Sequence, residues 1–478
     1  MAGIKTLELD PSKDKNTFKT LVTDAVGRNK NLWQFACFCS AQESKCSIAL
    51  DGGWGTGKTF FLHQLIMIFD AYGDQTEQLN EAEQKQIQQL FNSYAAEDQL
   101  GMTIRHHDCV YYDAWLNDNA NDPLHSILYE LIKQTKKKFV KNGKGDYWKA
   151  ACTIFDAFTG KNTSSLRELA EETNPVHDIK KQQSFHKEFK NYLDNLIPRG
   201  YGRLLVLIDE LDRCKPSYAV QLLERIKHYL SNDKITFVFA VNKEQLLQTI
   251  KAFYGDDFDA YQYLDRFFDF SLSLPQPDRR LFNSSYGLDQ SGKDFDTRLY
   301  ADVFNAFVRV YNLSLRDATR YWLWVKLACQ SFKNEKEKND NISWKFVMYI
   351  VVPVVIGLKL SNKKEYDDFL NGKIMDPLLN VLKNGPIANR FLEHPFDALK
   401  ETHFDPEKIQ WDIMPFTEAI YIELFAEEEF AQKKILDPLP YDTSPFVFNQ
   451  EMKDTIFTAS NLMADFIKYD TNTEMRAN

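Results

Sequence analysis

Four short runs along the chain are predominantly apolar: "SIALD" (47–51), "CVYYDAW" (109–115), "LLVLID" (204–209) and "ITFVFAVN" (235–242). Runs without polar alternation suit strands buried on both faces, the way parallel sheets are built. Between them lie longer stretches with apolar residues every three or four positions, as in "TFFLHQLIMIFDAYG" (59–73), "SYAVQLLERIKHYL" (217–230) and "EQLLQTIKAFYG" (244–255). These read as helices, and a further one, "DPLHSILYELIKQTKKK", opens on Asp122 as a cap with Pro123 in its first turn. "YQYLDRFFDFSLSLP" (261–275) closes the series.

Strand and helix therefore alternate from Cys46 to Pro275, the pattern of an α/β fold with a three-layer, parallel-sheet core. A helical stretch from about Asn16 to Ser40 precedes it. A Gln/Glu-rich segment, Gln75 to Gln99, reads as an exposed amphipathic helix, Lys141 to Asn174 as a polar insertion, and His177 to Leu196 as a helix. After a polar loop, Gln276 to Lys293, the remainder reads as helical, with "KNEKEKNDN" from Lys333 as a second boundary. The expected organisation is an N-terminal helical segment (1–45), a core with insertions near 71–102 and 139–197 (46–275), a linker with a helical lid (276–335), and a mostly helical C-terminal region (336–478).

The stretch between the first strand and its helix changes the picture from architecture to chemistry. Gly52 to Thr59 reads G-G-W-G-T-G-K-T and fits the Walker A pattern G-x-x-x-x-G-K-[ST]. Successive backbone N–H groups in such a loop form a concave anion nest, and the helix after it adds a partial positive charge. Glycines let the backbone approach phosphate closely. The cradle is Gly52, Gly53, Trp54, Gly55, Thr56, Gly57, Lys58, Thr59 and Phe60, with Lys58 reaching the terminal phosphates and Thr59 holding Mg²⁺ through its hydroxyl.

"LLVLIDELDR" supplies the partner. Asp209, at the carboxyl end of its strand, is placed as the Walker B acid that holds Mg²⁺ directly or through water. Glu210 follows and is the expected base that polarises water for attack on a γ-phosphate. Asn242, after the next strand, suits a polar sensor for that phosphate or the water. Guanine recognition is disfavoured: "NKEQ" places Gln245 where the N-K-x-D motif needs an aspartate, and Asp212 stands where D-x-x-G needs glycine. The expected ligands are ATP and Mg²⁺.

With these residues in place the sequence resembles the KAP family of P-loop NTPases. The resemblance rests on "GGWGTGKT", on "LIDELDRC-P", on "LLERIKHYL" and "FVFAVN", and on "CVYYDAW", "YLDRFFDFSLSLP" and "LSLRDATRY", covering about Cys46 to Arg320. It implies an additional-strand, catalytic-glutamate ATPase, in agreement with Glu210, and a role in signalling or defence, with bacterial members associated with phage exclusion. Many members carry transmembrane helices inserted in the ATPase domain. Here the corresponding segments are polar, and a soluble, cytoplasmic member is expected.

Three arginines are candidates to reach nucleotide. Arg266, at a helix end before the last strand, is placed to act as a finger in a neighbour's site within a homo-oligomer, with a salt bridge as the alternative. Arg316 and Arg320, one helical turn apart, share a face of the lid. Lys133, Lys136, Lys137, Lys138, Lys141, Lys144 and Lys149, with Phe139, Tyr147 and Trp148 among them, could bind single-stranded nucleic acid or a phosphorylated partner, or simply form a solvated helix end.

The remaining features narrow the reading. A net charge of −10 gives no global attraction to nucleic acid or anionic membrane. The seven cysteines have no metal-ligand spacing and read as reduced thiols. No secretory leader is apparent. The most apolar stretch, Phe346 to Leu358, falls short of the ~20 residues of a spanning helix and contains Pro353, so a core element is expected rather than a transmembrane segment. The sequence thus points to an ATPase that switches or drives a companion effector protein, and the resemblance implies a place in anti-phage defence. A nucleotide-binding scaffold with negligible turnover and a nucleic-acid-stimulated translocase stand as alternatives.

Overall fold

The computed structural model describes residues 14–73, 79–98, 101–120, 122–141, 187–192, 202–285, 295–332, 342–384, 386–387, 413–425 and 449–460. They fall into two compact units, one ending at Asp278 and the other running from Arg279 onward.

The first unit opens with α1 (Asp14–Val22) and α2 (Asn29–Ser40), followed by β1 (Cys46–Asp51), α3 (Lys58–Ala71), α4 (Glu81–Glu97), β2 (Asp108–Asp113) and α5 (Pro123–Lys141). Next come β3 (Leu204–Asp209), α6 (Pro216–Arg225), β4 (Ile235–Val241), α7 (Lys243–Tyr254), α8 (Ala260–Asp265) and β5 (Phe270–Ser273). The strands form one parallel sheet in the order β2-β3-β4-β1-β5. The continuous apolar runs are explained by burial on both faces. Along β3, Leu204, Val206 and Ile208 enter a core with α5, α6, α7 and α8, whereas Leu205 and Leu207 enter a second core with α1 to α4. This is the expected three-layer α/β arrangement.

The opening stretch, read from the sequence as one helix, is two. Asp24 (φ 46°) and Gly27 (φ 66°) both take the left-handed region, and the Asp24 carboxylate accepts the N–H groups of Arg28 and Asn29. A residue in that region ends a right-handed helix. The segment predicted over Gln75 to Gln99 forms α4, whose start is fixed by a reciprocal cap between Asn80 and Glu83. Its Ile87 and Phe91 are fully buried, so its inner face belongs to the core. Most of Lys141 to Asn174, most of the helix expected over His177 to Leu196, and the boundary at Lys333 lie outside the described residues.

The second unit is helical throughout its described residues, with α9 (Arg279–Ser285), α10 (Phe295–Val310) and α11 (Leu315–Phe332) first. Then α12 (Ile342–Phe346) runs through a π-helical turn, Val347–Val351, into α13 (Val352–Ser361). The helix from Ser343 to Ser361 is 19 residues long, apolar enough to cross a membrane, and mostly buried within the fold. Pro353 does not break it: the proline stands in the first turn of α13, just after the wider turn. The extra residue of a π turn relaxes the clash and the lost donor that a proline brings to a helix interior.

Candidate active site

Strand register gathers the chemistry at the carboxyl edge of the sheet. Asp51 pairs with Val241, Asp209 with Ala240, and Asp113 with Asp209, so β1, β4, β3 and β2 end side by side. Ligands of open parallel sheets bind at this edge. β4 lies between β1 and β3, separating the glycine loop from the acids by one intervening strand.

The loop from Gly52 to Gly57 turns from β1 into α3. Gly55 (φ 71°) and Gly57 (φ 93°) hold left-handed conformations that a side chain would strain, and Gly57 is the residue that starts α3. Lys58 is the first residue of α3, nearly buried, and its ammonium donates to the carbonyls of Gly52 at 2.6 Å and Gly53 at 3.2 Å. Burial lowers its pKa, opposed by the carboxylates of Asp212, Asp209 and Glu210 in that order. The Thr56 hydroxyl closes the loop on itself by donating to the Gly53 carbonyl at 2.7 Å.

Asp209 is 1% exposed. Its carboxylate accepts hydrogen bonds from the Tyr111 hydroxyl at 3.1 Å and from the Glu210 N–H at 2.9 Å, and the Thr59 hydroxyl lies near it. Burial raises its pKa, and these bonds with the Lys58 charge pull it back. Thr59 and Asp209, expected from the sequence to share a metal, thus lie near one another. Together they offer hydroxyl and carboxylate oxygens, the donor set that Mg²⁺ prefers.

Glu210 has left-handed backbone (φ 59°, ψ 23°), a conformation costing a non-glycine residue roughly 1–2 kcal/mol. Such strain persists where the surroundings enforce it, often at functional sites. The kink starts a short 3₁₀ turn, Leu211–Arg213, which carries Asp212 and Arg213 back over the site. Arg213 Nε pairs with Glu210 Oε2 at 2.5 Å, and its guanidinium lies 5.5 Å from the ring centre of Trp115. Burial, then the charge of Asp209, raises the Glu210 pKa, with Arg213 opposing. Asp212 accepts the indole N–H of Trp54 at 2.8 Å.

Asn242 follows β4 directly, and its side chain caps α7 by accepting the Gln245 N–H at 3.3 Å. The next residue's N–H donates to Asp51 at the end of β1, and Gly52 N–H donates to Val241. Asn242 therefore stands beside the root of the glycine loop. Phe60 is the third residue of α3, behind the loop.

The other candidates have contacts of their own. Arg266 is exposed at the end of α8, and its carbonyl accepts the Lys227 ammonium at 2.6 Å. Arg316 and Arg320 belong to α11 in the second unit, where Arg320 pairs with Asp317 at 3.7 Å. Lys133 is exposed and pairs with Glu130 at 3.0 Å. The side chains of Lys136, Lys137, Lys138, Phe139 and Lys141, and all of Lys144, Tyr147, Trp148 and Lys149, lie outside the described residues.

Tyr111 and Arg28 were not singled out from the sequence. Tyr111 reaches Asp209 across 98 positions, and Arg28 donates to the Thr56 carbonyl at 2.8 Å. The available signals were weak: a polar tip within an apolar strand, and a Gly-Arg pair inside the opening helical stretch.

Among curated proteins, none matches the chain. A solved structure, "Structure of the Aeropyrum Pernix ORC2 protein (ADPNP-ADP complexes)", is similar at 13% identity and a TM-score of 0.29, covering 91% of this chain and 93% of that one. That likeness is too slight to carry an argument. The KAP family P-loop domain matches residues 30–321, a span that holds the glycine loop, the acidic pair and every strand of the sheet. The chain belongs to the KAP family of P-loop NTPases.

Proposed function

We propose that the chain binds ATP with Mg²⁺ at the glycine loop and hydrolyses it, using the cycle to switch a companion protein. The observation that carries the reading is the buried Asp209, with Glu210 next in sequence, one strand away from the glycine loop that leads into Lys58 and Thr59. In this reading the loop amides and Lys58 hold the phosphates. Thr59 and Asp209 hold Mg²⁺, which when bound offsets phosphate charge. Glu210, its pKa raised by burial, takes a proton from water, and Asn242 orients that water or the γ-phosphate. Arg266, Arg316 and Arg320 are kept as candidate suppliers of positive charge from a neighbouring copy or from the helical unit. A role in anti-phage defence remains part of the proposal and rests on the family alone.

A second reading is favoured by one observation. Arg213 engages Glu210 at 2.5 Å, and a base held in an ion pair is withheld from water. A chain that keeps this pair with nucleotide bound would be an ATP-dependent scaffold. Calorimetry with Mg·ATP and phosphate release, measured on the unaltered chain, Lys58→Ala and Glu210→Gln, separates the readings. The ATPase reading expects no binding by Lys58→Ala, and binding without turnover by Glu210→Gln. Negligible turnover by the unaltered chain and an unchanged Glu210→Gln would favour the scaffold. Equal affinity of Lys58→Ala and the unaltered chain would defeat both.

A further inference from the structure

Arg28 is 3% exposed, and its guanidinium reaches the glycine loop from outside the sheet. Its Nη1 donates to the Thr56 carbonyl at 2.8 Å, while its Nε is buried without a partner. Among the described residues no carboxylate lies within ion-pairing distance of it. Burial lowers its pKa to about 10. A buried cation without a counter-charge is costly and is usually paired.

The segment that delivers Arg28 is itself tightly built. Asp24 and Gly27 supply two left-handed residues, Asp24 Oδ1 fixes the N–H groups of Arg28 and Asn29, and the Asn29 amide donates to Leu21 at 2.7 Å. The bond formed is chemically specific. The carbonyl of Thr56 and the N–H of Gly57 belong to one peptide group. A cationic donor on the oxygen draws electron density from the nitrogen and makes that N–H a stronger donor, because linked hydrogen bonds polarise one another. Gly57 immediately precedes Lys58 in the loop whose amides cradle anions.

We infer that Arg28 is a positioning residue for phosphate binding: it orients and polarises the Thr56–Gly57 peptide so that the Gly57 N–H meets the nucleotide's phosphates. The triphosphate then supplies the negative charge that the guanidinium lacks among the described residues. The inference rests on the nucleotide reading above. It also gives the turn between α1 and α2 a task in binding.

Selective labelling tests this directly. The sequence contains only two Thr-Gly pairs, Thr56–Gly57 and Thr159–Gly160. A full-length chain carrying ¹³C-carbonyl threonine and ¹⁵N-glycine therefore gives two amide–carbonyl correlations. Arg28→Gln keeps a neutral donor, and Arg28→Lys keeps the charge. The expected result is a Thr56–Gly57 correlation displaced in Arg28→Gln while Thr159–Gly160 stays in place. Mg·ATP affinity should weaken about tenfold or more in Arg28→Gln, with partial recovery in Arg28→Lys. An Arg28→Gln chain that binds Mg·ATP like the unaltered one, or whose correlation does not move, overturns the assignment of Arg28 alone. Failure of the unaltered chain to bind Mg·ATP overturns the nucleotide reading and this inference with it.

Discussion

Trp54 and Asp212 join the glycine loop to the acidic segment: the indole N–H meets Asp212 Oδ2 at 2.8 Å, across 158 positions. The other oxygen, Oδ1, is buried without a partner. Trp54→Phe therefore strips a buried carboxylate of the bond on its only partnered oxygen. Leaving such a group unsatisfied costs about 1–3 kcal/mol or more, and Trp54→Phe should lower unfolding stability by that order. Adding Asp212→Asn removes the orphaned charge and should recover part of the loss. Urea unfolding of both single variants and the double variant measures the coupling, and strict additivity would remove this bond from the account.

Glu210→Gln removes a candidate base while keeping its size and a hydrogen-bonding head. General-base catalysis typically contributes 10²–10⁴-fold, so single-turnover phosphate release should slow by about that factor, with Mg·ATP affinity changed little. A parallel loss of affinity would assign Glu210 to binding instead.

Two loop glycines should respond differently to alanine. Gly57 holds φ 93°, so Gly57→Ala should destabilise the fold by about 1–2 kcal/mol. At Gly53 an added Cβ would meet its nearest atom, in Thr56, at 3.7 Å, an ordinary contact, and φ is not in the left-handed region. Gly53→Ala should leave unfolding stability within about 0.5 kcal/mol of the unaltered chain. Thermal unfolding distinguishes them, and equal shifts would contradict the backbone argument.

His107 makes stability depend on pH. It is buried between the Arg203 N–H, which donates to Nδ1 at 2.9 Å, and the Ser40 hydroxyl at 3.0 Å from Nε2. Burial, assisted by nearby positive charge, lowers its pKa to about 3. A folded pKa below the unfolded one means that the unfolded chain takes up the proton first on acidification. The contribution is complete above about pH 6.5 and is lost as pH falls toward 3, at up to about 1.4 kcal/mol per pH unit. Denaturant unfolding at pH 7.5, 6 and 5 should show the loss, and His107→Asn should reduce its slope. The same slope in both proteins would exclude His107 as its source.

Much of the site was legible because its parts are contiguous. Eight consecutive residues carry the glycine loop, and Asp209 and Glu210 adjoin at the end of an unbroken apolar run, so local pattern sufficed. Arg28, Tyr111 and the Trp54–Asp212 bond were not legible, because each joins segments between 28 and 158 positions apart. The split of the opening helix was missed for a different reason. Asp24 adopts left-handed backbone that its residue type permits but does not require. At Pro353 the residue alone argued for interruption, whereas the preceding π turn relieves the strain within a buried helix.

The position of β4 has a mechanical consequence. Neighbouring strands lie about 4.8 Å apart, so β4 fixes a spacing of roughly 10 Å between the roots of the loop and of Asp209. It works as a gauge block whose two ends are set by hydrogen-bonded ladders rather than by the side chains of the candidate site. Because α7 begins where β4 ends, a force that shifts α7 would alter that calibrated gap while leaving every side chain of the candidate site unchanged.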